Sequence, residues 1–359
     1  MATIVLLDQS NLDLRSVKNL ALGGKESSLI NLGYALRDLG HVVYFGTNFP
    51  RQDETEYQGI ICRSLDLFKK IPIKGKVDLL VANQSAELLY VMKARRYALW
   101  LHNDPKLLWK KSRAYRRLIL SPRVIRTKVL LSGDFHYSLW SKNVLIRKFL
   151  CRIIPLGLNS VFLENRIQLT TPPNPVVVYT SDADRGLSAI LAVWVSYIFP
   201  RAPHAKLFVY GSSENTGIEY TRNIKAKKRF YLDLARSLDR YGVIVNDSLP
   251  ANELSLAIRR ARALAYYPNI DETYCLAVAE AQSLGVPAVV ENKGALPERV
   301  SSDNTGYVVA GLQDLAEKLL AIISDDELWE RLHGNCLNTP SRDWNQYAVD
   351  LLTLFGIKK

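Results

Sequence analysis

Cysteine is scarce in this chain of 359 residues, with four in all: Cys62, Cys151, Cys275 and Cys336. They stand too far apart for a disulfide framework or for paired zinc ligands, so a reducing, cytoplasmic setting is expected. No stretch approaches the roughly 18 to 20 apolar residues that span a bilayer. The most apolar window, 186–199, is about one helix long and includes Ser188 and Ser196, which suits a half-buried helix. No cleavable leader is expected, because Thr3 to Leu7 is already an apolar, β-branched run ending at Asp8, the pattern of a first strand. Short repeats and low-complexity tracts are missing. So are zinc-finger spacing, a helix-turn-helix signature and an aromatic-glycine RNA motif, which argues against nucleic acid as a partner. Acid is in short supply in one half only. Residues 1–165 hold 26 Lys and Arg against 13 Asp and Glu, a net of +13; residues 166–359 hold 21 against 22, a net of −1. The whole formal charge of +12 therefore resides in the first half, which points to an anionic partner there.

What is present is an alternation of strands and helices. The length suggests two domains. Strands are expected at Thr3–Leu7, His41–Phe45, Asp78–Ala82, Tyr97–Leu101, Lys128–Leu131 and Cys151–Ile154. A helix is expected at Glu26–Leu39, with leucines 29, 32, 36 and 39 at helical spacing and Gly40 at its C′ position. After a polar, proline-rich linker at 165–175 the alternation restarts. Strands are expected at Val176–Tyr179, Lys206–Tyr210, Val243–Val245, Ala263–Tyr267 and Ala288–Val290. Helices are expected at Gly186–Phe199, Ala251–Arg262, Thr273–Leu284 and Leu312–Ser324. Alternation of this kind predicts an α/β protein of two Rossmann-like, doubly wound domains. Ligands of such sheets sit beyond the carboxyl ends of the strands.

The most informative segment there is DETYCLAVAEAQSLGVP, 271–287. With a helix from Thr273, Glu272 and Glu280 fall near one face, a little over two turns apart. The amides of Tyr274, Cys275 and Leu276 would point out of the helix N-terminus, a favourable place for phosphate. Glu280 could accept two hydrogen bonds from a ribose diol. The plain alternative is a surface helix with two solvated glutamates.

The run YYPNIDETYCLAVAEAQSLGVPAVV closely resembles the donor-site signature of retaining GT-B glycosyltransferases, glycosyltransferase family 4 (glycosyl transferases group 1). Other segments match in order: LGGKESSLINLGYALRDLGHVV (22–43), LWLHNDP (99–105), RIIPLGLNSVF (152–162), DRGLSAILAVW (184–194), ALPERV (295–300) and SRDWNQYAVDLL (341–352). The resemblance implies two Rossmann-like domains facing across a cleft. Residues 1–160 would be the acceptor domain, 161–342 the donor domain, and a last helix, 343–359, would pack back on the first. It implies a hexosyltransferase that uses a nucleotide-diphosphate sugar, without a resident cofactor or an obligatory metal. Glu272 would face the donor sugar and its leaving phosphate, Glu280 the ribose hydroxyls, and Arg185 the departing diphosphate. His102 would face the sugar from the acceptor side. Gly23 and Gly24 would allow close approach of backbone to phosphate or acceptor, and residues 246–250 would pass the base.

The sequence departs from the family pattern where a second basic residue would accompany Arg185; Thr180, Ser181 or Asp182 stands there. Lys293 could supply the charge, or the run Lys225, Lys227, Lys228 and Arg229, whose simpler reading is a solvated loop. Paired aspartates suited to Mg²⁺ are missing at strand ends, and no second carboxylate is placed as a nucleophile. A front-face displacement follows as the expected chemistry. The acceptor is expected to be a glycan or lipid-linked molecule. Residues 106–128 carry nine Lys or Arg and no acid, with Lys106, Lys110, Arg113 and Arg117 on one helical stripe, which suits peripheral contact with an anionic membrane. Two other classes stay open: a non-catalytic GT-B sugar-nucleotide-binding subunit, and a basic nucleic-acid-binding protein.

Overall fold

A computed structural model describes residues 1–16, 22–51, 53–105, 121–142, 148–211 and 222–358. The chain divides into two compact units. The first holds Met1–Gly157 with Arg342–Lys359, and the second holds the described residues between Leu158 and Ser341.

The first unit is built on a sheet of eight strands among the described residues: β1 (Thr3–Leu7), β2 (Val42–Thr47), β3 (Thr55–Tyr57), β4 (Ile60–Ser64), β5 (Leu79–Asn83), β6 (Arg96–Trp100), β7 (Thr127–Leu131) and β8 (Cys151–Ile153). Their order is β3-β4-β2-β1-β5-β6-β7-β8, parallel except for β3. β3 and β4 were not anticipated. β3 is only three residues long, and the apolar run of β4, IICRS, is cut short by Arg63 and Ser64. Gln58 and Gly59 join them with positive φ at both positions, the twist of a tight hairpin. The helix Gly24–Asp38 buries Leu29, Ile30, Leu32 and Leu36. The C-terminal helix Trp344–Leu354 starts from a capping box of Asp343 and Gln346. It buries Trp344 and Tyr347, whose rings lie 6.0 and 5.1 Å from that of Trp100 on β6. Gly157 passes so close to this helix start that a Cβ would lie 2.6 Å from the Asp343 carbonyl.

The second unit carries a six-stranded, all-parallel sheet: β9 (Val176–Tyr179), β10 (Lys206–Tyr210), β11 (Val243–Asn246), β12 (Ala263–Tyr266), β13 (Ala288–Glu291) and β14 (Gly306–Val309), in the order β11-β10-β9-β12-β13-β14. β14, with the sequence GYVV, lies at the edge and was not anticipated. The core strands are near-continuous apolar runs, as burial on both faces requires. Both sheets reverse direction of winding once, between β1 and β5 and between β9 and β12. Such switch points open a crevice beyond the strand ends.

Three expectations need correction. The helix expected at 273–284 spans only Leu276–Ser283, because Cys275 before it has φ of 68°, outside the helical range. The run 225–229 is not a loop but part of the helix Arg222–Arg236, whose buried residues Lys228, Leu232 and Ala235 recur at spacings of four and three. The basic stripe at 106–120 lies outside the described residues. Of the remainder, 122–126 is a short 3-10 turn, and Thr127 and Lys128 already belong to β7.

Candidate functional site

The second unit's switch point gathers the charged side chains. After β9 the chain makes a tight turn, 180–186, before the helix Leu187–Val193. The buried Tyr179 hydroxyl pins this turn, lying 2.9 Å from the Asp182 carbonyl and 3.1 Å from that of Arg185. Arg185 thereby reaches the loop after β12, where its Nη1 donates to Glu272 Oε1 at 3.1 Å. The Tyr266 hydroxyl donates to the same oxygen at 2.5 Å. Glu272 is 8 % exposed, and its backbone carbonyl accepts from Ala295 N–H at 2.8 Å, which ties the loop to the one after β13. Burial opposes the Arg185 charge. Glu272, Tyr266 and Asp182 together outweigh burial, the largest single influence, and raise the guanidinium pKa further above its usual range.

Arg185 and Glu272 are thus brought together as the sequence suggested, but not on the helix. Glu272 lies four residues before Leu276, so it does not share a helix face with Glu280. Tyr274 and Cys275 also precede the helix, and of the three expected amides only that of Leu276 belongs to its first turn. The Tyr274 ring carries the Arg299 guanidinium 4.4 Å above its centroid. Cys275 holds a left-handed conformation rare outside glycine, a strain of order 1 to 3 kcal/mol that such sites often carry. The first intrahelical bond, Ala279 N–H to the Cys275 carbonyl, leaves the Leu276 and Ala277 amides at the open end.

Glu280 sits one turn into this helix. Protein surrounds its carboxyl while a part stays open to solvent, and this desolvation pushes its pKa up to about 7. A diol donating to the carboxylate would favour the ionised form and draw the pKa down. Affinity for a ribose-bearing ligand held in this way is therefore expected to fall by up to about tenfold per pH unit below 7, with a proton released on binding. Without ligand the sign is opposite. The raised folded pKa gives stability that is full below about 4.5 and is lost as pH rises through about 7, so Glu280→Gln should gain on wild type at pH 8. Calorimetry in buffers of different ionisation enthalpy checks the first part; proton-neutral binding at pH 7 would exclude Glu280 from the contact.

Two further side chains complete the cluster, Tyr266, which sequence reasoning missed, and Lys228, which it named only as one of a run of cations. Tyr266 was visible only as an apolar strand residue. Lys228, 1 % exposed, sends its Nζ to 2.5 Å from Asp182 Oδ1. Its helical spacing with Leu232 and Ala235 was the available signal. Lys293 donates to the Pro268 carbonyl at 3.0 Å and lies 3.6 Å from Glu291. At neighbouring strand ends, buried Thr180 Oγ1 and Asn246 Nδ2 have no hydrogen-bond partner in the structure, as groups awaiting a polar ligand would.

The first unit places a second set at its own strand ends. Asp8 follows β1, Asn83 ends β5 and His102 follows β6. Asn83 Nδ2 donates to Asp8 Oδ1 at 2.8 Å, so Asn83 Oδ1 turns to His102 Nε2 at 2.9 Å. That oxygen can only accept, which fixes the proton on Nε2. Burial, then the nearby Lys25 and His136, hold the His102 pKa well below the usual value, so the ring is neutral. Its centroid lies 4.7 Å from that of Trp100. Gly23 is the extended N-cap of the helix Gly24–Asp38, and Gly24 is its first residue. Among the described residues, no three His, Cys, Asp or Glu side chains are grouped to hold a metal ion.

Two doubly wound units, with the titratable groups at the strand ends, define the class: the fold is that of GT-B glycosyltransferases. Sucrose-phosphate synthase from Thermosynechococcus elongatus superposes with a TM-score of 0.76 at 16 % identity, covering 99 % of this chain and 98 % of that one. Anabaena Alr3699/HepE in complex with UDP-glucose gives 0.70 at 16 % identity, covering 99 % and 100 %. Sequence adds a partial match: residues 198–336, in the second unit, match the domain described as Glycosyl transferases group 1. Similar curated proteins include a D-inositol 3-phosphate glycosyltransferase of Corynebacterium glutamicum, 26 % identical over 212 residues, and one of Actinosynnema mirum, 35 % identical over 129 residues. The matches cover 56 % and 34 % of this chain but only 44 % and 30 % of those proteins, less than half the length of either relative.

Proposed function

We propose that the protein transfers a sugar from a nucleotide-diphosphate sugar to a glycan or lipid-linked acceptor, with retention of anomeric configuration. The observation that carries this reading is the Arg185–Glu272 pair at the second sheet's switch point, beside an open helix N-terminus and a desolvated Glu280. Arg185 neutralises the departing diphosphate, as a permanent planar cation can. Glu272 orients Arg185 and faces the sugar. Glu280 takes the ribose hydroxyls, and Asn246 lies where the base would pass. On the first unit, His102 is the proposed acceptor-side contact. In a front-face displacement the acceptor oxygen bonds to the anomeric carbon on the side the phosphate leaves. The acceptor proton passes to the phosphate oxygen whose bond to that carbon breaks. No resident cofactor or obligatory metal is invoked, because Arg185 and the helix N-terminus supply the electrostatic stabilisation.

The test is a thermal-shift panel of UDP-, GDP-, ADP- and CDP-sugars. The cognate donor at about 100 times its dissociation constant should stabilise by about 2.7 kcal/mol. Transfer should persist in EDTA; complete loss restored by Mg²⁺ or Mn²⁺ would overturn the metal-free reading. Binding without donor hydrolysis would favour a non-catalytic subunit. Retention on DNA with no response to any donor would favour a nucleic-acid binder.

The anionic partner of the first unit is proposed to be a membrane surface. No helix among the described residues is long and apolar enough to cross one. Ile125, Phe149 and Ile153 are exposed at or beside β7 and β8, next to Arg126, Lys128 and Arg152. Each basic residue near such a surface contributes about 1 kcal/mol, screened by salt. Flotation with anionic vesicles should recover the protein at low salt and release it at high salt, and a Lys110→Glu, Arg113→Glu, Arg117→Glu variant should stay behind. Equal recovery of both proteins would reject this role for the stripe.

A further inference from the structure

The turn that holds Arg185 poses an electrostatic problem. Residues 180–186 carry one cation and two acids, Asp182 and Asp184, so taken alone the turn would repel an anionic ligand. Asp182 also competes for Arg185: its Oδ2 lies 3.9 Å from Arg185 Nε, while Arg185 Nη1 is held by Glu272. A guanidinium offered two carboxylates goes to the one that carries more uncompensated charge. The structure places a second cation behind the turn to settle the competition. Lys228 projects inward from the helix Arg222–Arg236, and its Nζ takes the other oxygen of Asp182.

We propose that Lys228 is a positioning residue: by neutralising Asp182 from beneath the turn, it keeps the Arg185 guanidinium on Glu272 and open to a diphosphate. This rests on the nucleotide-sugar reading above for the identity of the anion, though not for the arrangement itself. Lys228 does not touch the ligand. Its side chain is almost wholly buried, and an anion reaching Nζ would have to displace Asp182. A lysine so placed is kept charged by its partner, because a buried ammonium without a counter-charge is strongly disfavoured. The second positive charge that the turn lacks in sequence is therefore supplied from a separate helix, and it acts through Asp182.

The experiment combines ligand-free crystal structures with UDP binding for Lys228→Gln, Lys228→Met, Asp182→Asn and the Lys228→Met, Asp182→Asn double variant. Lys228→Gln keeps a hydrogen-bonding group beside Asp182 and removes only the charge, which guards against misfolding of the methionine variant. In its ligand-free structure Arg185 should leave Glu272 for Asp182. UDP affinity should drop by about tenfold or more in both Lys228 single variants and return to within about threefold of wild type in the double variant, the coupling expected of contacting charges. A lysine that merely fills space gives no such rescue. Arg185 still on Glu272 in Lys228→Gln, unchanged UDP affinity in the single variants, or a double variant as weak as the single ones would each overturn the proposal. If the wild type binds none of UDP, GDP, ADP or CDP, the nucleotide-sugar reading fails; the position of Arg185 in the Lys228→Gln structure then decides for or against the positioning role.

Discussion

Replacing Arg185 by alanine is expected to slow sugar transfer by about 30- to 900-fold, on the order of 2 to 4 kcal/mol, the usual effect of losing one strong transition-state donor. The charge matters most when the glycosidic bond breaks and the diphosphate gains negative charge, so kcat should fall more than donor affinity. The same substitution strips Glu272 of its cationic partner and leaves it the Tyr266 hydroxyl, with the carboxylate still buried. Part of any loss could therefore come from a displaced loop, and a thermal melt of the variant separates the two: a wild-type melting curve with slowed transfer assigns the loss to chemistry. Arg185→Lys should recover only a fraction, because an ammonium is a point charge without the planar fork. Full activity in Arg185→Ala would mean that another cation holds the diphosphate, and Lys293 would be the next residue to replace.

The second large effect concerns folding of the same turn. Gly186 has φ of 99°, a left-handed conformation that side chains disfavour, and a Cβ there would stand 1.9 Å from the Tyr267 carbonyl oxygen and 2.8 Å from its carbon. Both neighbours are backbone, of the chain just beyond β12, so no rotamer change relieves the overlap. Gly186→Ala should cost about 3 kcal/mol or more. In a unit of this size that lowers the melting temperature by about 6 to 12 °C. Donor binding should fall with it, because Arg185 precedes Gly186 and Glu272 follows Tyr267 by five residues. An alanine variant that melts within about 2 °C of wild type would show that the two loops have room to part.

Much of this was legible in the sequence. Thr3–Leu7, Val176–Tyr179 and Lys206–Tyr210 are strands with the limits their apolar runs suggested, and Leu312–Ser324 is the helix its periodicity required. Alternation of strands and helices was enough for two doubly wound domains, because a parallel strand needs a crossover and a crossover helix needs an apolar face. The chain order of motifs also singled out Arg185, Glu272 and Glu280 as neighbours of strand ends. Tertiary structure decided the rest. Whether a residue lies on a helix or just before it depends on one dihedral angle, and the left-handed Cys275 moved Glu272 off the helix on which spacing alone had put it. Asp8, Asn83 and His102 are separated by 75 and 19 residues and meet only because β1, β5 and β6 are adjacent in the sheet. Lys228 was one of four cations in a run that could have supplied the charge missing beside Arg185 or simply faced solvent. Local sequence specifies the face of a helix, but which carboxylate that face meets is set by packing against β11 and the helix Leu187–Val193, which brings Lys228 to Asp182, 46 residues away.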